Sequence, residues 1–280
     1  MNYSMWTSYY IDLTPEEMAR EFGVAGWPNL ELSTEHSAAL LERGDPVKTG
    51  AEFRKYAEDH GVRFPQGHLW LGCDVAGETS DATVSELKRW LDLYLALDIK
   101  AAVIHAGGSD LIASGADPAV ILERRATAFR DLSGYVRGTD LFLCIENTVR
   151  QAPLAPDLLR VIEAAGDQNL GICLDTGHLH MVDGIQADFI RTAGDHLRAL
   201  HIADNEGERD QHLMPYGKGT VNWDEVVGAL FDIGYAGLFN MEIPGETRCP
   251  LEVRRAKLSY AKRVAAYMLT ELGQREPASQ

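Results

Sequence analysis

The chain of 280 residues has no apolar run near the ~20 residues that crossing a bilayer takes, so no membrane span is expected. The amino terminus, MNYSMWTSYYIDL, lacks a basic start followed by an apolar stretch, and no secretory signal is read there. Cysteine is scarce. Cys73, Cys144, Cys173 and Cys249 show no paired spacing, which predicts no disulfides and a reducing, cytoplasmic setting. Basic residues are few: 26 Lys and Arg against 42 Asp and Glu leave a net charge of −16. Binding duplex nucleic acid needs a basic face, so no such partner is expected. The first strand-to-helix turn, SYYIDLTPEE, carries no G-x-G-x-x-G, and no P-loop pattern occurs, which excludes the common nucleotide-binding sheets. Linkers, low-complexity segments and charge blocks are missing too, and 1–280 reads as a single domain.

What the chain does have is alternation. Apolar runs at 3–9, 29–33, 62–70, 101–108, 141–147, 170–178, 197–205 and 237–245 read as buried parallel strands. Between them lie amphipathic segments. The first starts at Thr14, whose spacing to Glu17 fits a capping box. The others are 46–60, 81–98, 117–137, 154–165, 184–195, 222–232 and 250–272, and the tail beyond Leu272 reads as frayed. Eight strands and eight helices in strict alternation predict an α/β protein built as one (β/α)8 TIM barrel. Cys144 and Cys173 fall inside strand runs and read as small core residues.

Four successive runs close on an acid or an imidazole: Glu146 in LFLCIEN, Asp175 in LGICLDTGH, His201 in LRALHIADN and Glu242 in GLFNMEIPG. Taken singly, each has a bland reading as a helix cap, a salt-bridge partner or a satisfied core histidine. Together they differ, because strand carboxyl ends converge on one mouth of a barrel. Buried carboxylates repel and cost several kcal/mol each without a counter-charge. No Lys or Arg stands close enough in sequence to neutralise them, and a divalent cation is the simplest solution. His68 and His105 end the third and fourth strands, and His178 follows Asp175. Two glycines after His105 would let a ligand approach the backbone. A long polar loop after His201 carries Arg209, Asp210, His212 and Lys218, where barrels place substrate recognition. Trp6, Trp70 and Tyr10 are candidates for an apolar wall, with core packing as the alternative.

The segments LFLCIEN, LDTGH, LHIADN, DQHLMPYGKG and MEI together resemble the xylose-isomerase-like barrels. That superfamily holds sugar and sugar-phosphate isomerases and epimerases, and is related to the endonuclease IV barrels. The resemblance implies one divalent ion (Mn, Mg, Co or Zn) on Glu146, Asp175, His201 and Glu242. It implies Glu146 and Glu242 as the acid–base pair, with His178 on the substrate oxygens. His105, His68, Arg209 and His212 complete the expected substrate contacts. The expected reaction is isomerisation or epimerisation of a small polyhydroxylated carbonyl compound through a metal-stabilised enediolate. Three alternatives stay open. One is a keto-polyol dehydratase of the same fold. Another is a zinc phosphodiesterase on abasic DNA, with three ions on His68, His105, Glu146, Asp175, His178, His201, Asp210, His212 and Glu242. The third is a non-catalytic barrel subunit. Gly177 stands where the endonuclease branch usually has cysteine, and YSMWTSYY lacks that branch's first-strand pattern. A homodimer is the default expectation for assembly.

Overall fold

The structure, a computed structural model, describes residues 1–166 and 169–272. The expected fraying beyond Leu272 lies outside the described residues.

Eight parallel strands form one sheet: β1 (Asn2–Trp6), β2 (Asn29–Leu32), β3 (Arg63–His68), β4 (Ala101–His105), β5 (Phe142–Glu146), β6 (Leu170–Asp175), β7 (Leu197–His201) and β8 (Leu238–Met241). From β1 to β7 each pairs with its sequence neighbour, and β8 pairs with β1. The two ends of the sheet meet just past β7. There Ile202 N donates to Asn240 O at 2.8 Å, and Glu242 N donates to Ile202 O at 3.0 Å. The sheet therefore curls into the expected TIM barrel, and the seam itself positions Glu242.

The surrounding helices are α1 (Pro15–Val24), α2 (Thr34–Leu41), α3 (Pro46–Asp59), α4 (Ser80–Ala96), α5 (Ser109–Ala113), α6 (Pro118–Tyr135), α7 (Ala155–Ala165), α8 (Thr176–His180), α9 (Gln186–Ala193), α10 (Trp223–Asp232) and α11 (Leu251–Tyr267). Strict alternation is corrected by three of these. Helix α2 adds a second helix between β2 and β3, nucleated by Ser33, whose Oγ accepts from His36 N. Helices α5 and α8 are short: α5 begins three residues beyond β4, and α8 follows β6 directly. The expected strands 3–9, 170–178, 197–205 and 237–245 shorten accordingly. After Trp6 the chain turns into a tight helical turn at Thr7–Tyr10, and after Asp175 it enters α8. The capping box is present: Thr14 Oγ1 accepts from Glu17 N, and Thr14 N donates to Glu17 Oε2.

Strand side chains alternate between two faces. One face packs under the helices, with Leu30, Leu32, Ile104, Leu143 and Leu174 in the main core. The other lines the barrel, where Ala101, Val103, Cys144, Cys173 and Ala199 form a small separate cluster. These are compact residues, as the narrow interior requires. Each lies an even number of positions before a residue of the carboxyl mouth, so the inner faces of β4 to β7 must end in His105, Glu146, Asp175 and His201. All four cysteines are free thiols, and Cys144 and Cys173 are buried as expected. Among the described residues no helix is long and apolar enough to cross a membrane.

Candidate metal centre

Glu146, Asp175, His201 and Glu242 converge at the carboxyl mouth and all are buried. His201 Nδ1 sits 3.3 Å from Glu146 Oε1 and 3.4 Å from Glu242 Oε2. Three sets of side chains bring ligand atoms within 4.8 Å of one another: Asp175–His201–Glu242, Glu146–Asp175–His178 and His68–His105–Glu146. In the first set, Asp175 Oδ2, His201 Nδ1 and Glu242 Oε2 are all buried without a hydrogen-bond partner. Leaving such a group unpaired costs roughly 1–3 kcal/mol, more when it is charged. Three of them facing one point, all acceptors or potential acceptors, fit a divalent cation.

The imidazoles are oriented for this. A nitrogen facing a carbonyl oxygen must carry the proton, which leaves the other free as a donor to a metal. His68 Nδ1 donates to Leu69 O at 2.8 Å, His178 Nδ1 to Asn147 O at 2.9 Å, and His212 Nδ1 to Glu242 O at 2.9 Å. Their Nε2 atoms point at acids: His68 at Glu146 Oε2 (3.2 Å), and His178 and His212 at Asp210 Oδ2 (3.3 and 3.1 Å). His105 Nε2 lies 3.5 Å from Glu146 Oε2. Asp175 has two tasks. Its Oδ1 caps α8 by accepting from His178 N at 2.6 Å, and its Oδ2 faces the cluster. Asn147 holds the strand end beneath it by exchanging hydrogen bonds with the Asp175 backbone.

Charge on the cluster is distributed unevenly. Burial alone would raise Glu146, but His201, His105 and His178 around it pull its carboxyl well below the usual range. Burial raises Glu242 as well, and there His201 and His212 offset only part of it, so its carboxyl stays well above the usual range. Burial would lower His201, yet Cys173, Glu242, Glu31 and Glu146 push it well up. Burial likewise opposes the charge on His178 and His212. Asp175, Asp210 and Glu146 push His178 up to about 12, while Asp210, Glu242 and Asp175 push His212 up to about 10. Without a metal the cluster balances its acids with protons on histidine, and a cation would displace them.

The loop after β7 delivers Asp210 and His212 because Asp204 ties it down. Asp204 exchanges backbone hydrogen bonds with Leu213, and its carboxyl accepts from Asn205 N, Val221 N and Trp223 Nε1. His212 adopts a left-handed backbone, φ 45°, and its ring stacks on Trp6 at 6.2 Å. A side chain at Gly177 would meet Asn205 Nδ2 at 3.1 Å and Asp175 Oδ1 at 3.3 Å, so glycine suits this tight turn.

The structure does not bring Arg209 to the cluster: it is exposed and makes no hydrogen bond or ion pair there among the described residues. Two expectations need correction, those for Tyr10 and for the glycines after His105. Tyr10 is fully buried against Phe22 and Tyr9, so it belongs to the core rather than to a substrate wall. Gly107 N and Gly108 N are already occupied by Gln151 Oε1 and Asp74 Oδ1, so these glycines serve loop packing and not ligand approach. Trp6 does reach the mouth, and Trp70 is exposed. One residue escaped the sequence reading altogether. Glu31, from the inner face of β2, is fully buried and accepts from His201 Nε2 at 2.9 Å. Its only signal was an acid between two leucines in NLELS.

Residues 18–266 match the model of the xylose isomerase-like TIM barrel family. The chain is 41% identical over 234 residues to a D-psicose 3-epimerase of Enterocloster bolteae, covering 78% of this chain and 72% of that one. It is 27% identical over 209 residues to a Sinorhizobium fredii protein of uncharacterised function, covering 73% of this chain and 61% of that one. The solved structure of an L-ribulose 3-epimerase superposes with a TM-score of 0.80 at 18% identity, over 99% of this chain and 100% of that one. The chain belongs to the family of xylose isomerase-like TIM barrels.

Proposed function

We propose that this protein is a divalent-metal-dependent epimerase or isomerase of a small polyhydroxylated ketone, such as a ketose, acting at the carbon beside the carbonyl. The observation that carries this is the pair Glu146 and Glu242 on either side of His201 Nδ1, at 3.3 and 3.4 Å, beside the unpartnered Asp175 Oδ2. Glu146, Asp175, His201 and Glu242 would hold the ion, which supplies Lewis-acid stabilisation of an enediolate. Glu146 and Glu242, which flank His201 Nδ1, form the acid–base pair, and one of them takes the proton from carbon. The other returns a proton. Return to the opposite face epimerises; return to the neighbouring carbon isomerises. His178 orients the substrate oxygens, with its ring fixed by Asn147 O. Trp6, stacked on His212, gives the sugar carbons an apolar surface. The sequence relationship to a D-psicose 3-epimerase supports a ketose and inversion beside the carbonyl.

The test is metal content of the purified protein, followed by deuterium exchange beside the carbonyl in a ketose panel. One ion per chain with metal-dependent exchange supports the reading. A metal-bearing protein that exchanges no ketose proton overturns the reaction. A second reading, a three-zinc phosphodiesterase, has the His68–His105–Glu146 group in its favour. Three zinc ions per chain with cleavage at abasic sites would select it.

A further inference from the structure

We infer that Glu31 is a positioning residue for the metal histidine: it fixes the His201 tautomer and thereby sets how tightly the mouth holds its ion. This rests on the metal centre proposed above. Glu31 comes from β2, on the far side of the barrel from β7, and meets His201 across the interior at 170 residues' separation. Its side chain is fully buried, and its one ion-pair partner among the described residues is His201. A buried carboxyl with no Lys or Arg is costly, so its position calls for a function.

These contacts form one chain across the barrel. Ser4 Oγ donates to Asn240 Oδ1 at 2.7 Å, and the Asn240 amide nitrogen donates to Glu31 Oε2. The other oxygen, Glu31 Oε1, faces His201 Nε2 at 2.9 Å. A carboxylate accepts on both oxygens, so the imidazole nitrogen that faces it, His201 Nε2, is the one that carries a proton. Neutral His201 is then left with its lone pair on Nδ1, the atom that lies between Glu146 and Glu242 without a hydrogen-bond partner. With the opposite tautomer, Nδ1–H would point at the position the ion must occupy. An acid on the remote nitrogen also makes an imidazole a better electron donor, and loss of such a partner typically costs 10–100-fold in metal affinity. Ser4, Asn240 and Glu31 sit on β1, β8 and β2, so the network spans the strands adjoining the barrel seam.

The experiment compares wild type, Glu31→Gln, Glu31→Leu and Ser4→Ala. It measures metal dissociation constants by chelator competition, the Co2+ absorption spectrum and the melting temperature of the metal-free protein. Gln keeps an acceptor and loses the charge; Leu loses both. We expect Gln to weaken metal binding about 10-fold and Leu about 100-fold, within the usual range for such partners. Gln should also shift the Co2+ bands without lowering the metal-free melting temperature. Ser4→Ala, which cuts the same network away from His201, should leave metal affinity within about threefold. Wild-type affinity and spectrum in Glu31→Gln would overturn the inference. So would equal metal loss in Ser4→Ala, or loss that merely tracks a fall in metal-free stability, since each describes a structural network. A wild-type protein that takes up no metal would remove the metal centre itself, a failure distinct from that of Glu31.

Discussion

The two mouths of this barrel invite comparison. The amino-terminal mouth opens on a cavity of about 710 Å3, lined at the strand starts by Asn29, Arg63, Lys100, Phe142 and Arg198. Its edge carries exposed ion pairs. Lys100 Nζ bonds Asp98 at 2.8 Å and reaches Asp140 at 3.5 Å, and Arg54 reaches Glu58 at 2.8 Å. The carboxyl mouth gathers acids and imidazoles that are buried and incompletely paired. Exposed pairs contribute ~0–1 kcal/mol, whereas each unpaired buried group costs several times that. Hollow volume therefore points to one end and electrostatic tension to the other. Chemistry belongs with the tension, because only there does a ligand resolve a cost that folding has left standing.

The sharpest way to break the comparison is at Glu146 and Glu242. Glu146→Gln and Glu242→Gln should each lower turnover by about 10²–10⁴-fold, the usual worth of a positioned acid or base. Steady-state rates and deuterium exchange measure this, and full activity in either variant sinks the acid–base assignment. Removal of the ion comes next. Chelation should abolish turnover and lower the melting temperature, with both restored by added metal. Saturation at 100 times the dissociation constant stabilises by about 2.7 kcal/mol. His201→Ala should lose that metal-dependent increment.

A smaller effect separates protons from metal. His212 is raised from 6.5 to about 10 in the fold, so its pairing with Asp210 contributes stability fully present below pH 6.5 and lost as pH rises through about 10. In chelator, wild type should melt above His212→Asn near about pH 6, with the gap closing toward about pH 10. A gap that widens with pH would mean the charge on His212 is misassigned. The least effect belongs to the other mouth. Lys100→Met removes two exposed ion pairs and should cost under about 1 kcal/mol, with turnover within about twofold of wild type. A large loss there would erase the contrast between the two ends.

Legibility followed the range of the interaction. The run LFLCIEN announces a buried strand ending in an acid, and β5 ends at Glu146. Thr14 and Glu17 announce a capping box that forms as written. Pro118 falls at the start of α6, where proline is tolerated. The extra helix α2 is not legible in NLELS, where Ser33 closes an apolar run and only the fold shows its Oγ accepting from His36 N. Arg209 shared a polar loop with Asp210 and His212, and sequence proximity could not say which side chains turn inward. Glu31 looked like an ordinary acid on a short strand.

By itself the sequence determined the alternation of strand and helix and the residues that close the inner faces, since periodicity of two and apolar runs are local properties. It determined that acids would gather without arginine or lysine to neutralise them. Only the closed barrel decided that Glu31 meets His201, that His212 rests on Trp6 and that Arg209 stays outside. Those contacts join residues far apart in the chain, and they depend on the register at which β8 seals against β7 and β1, which no local pattern encodes.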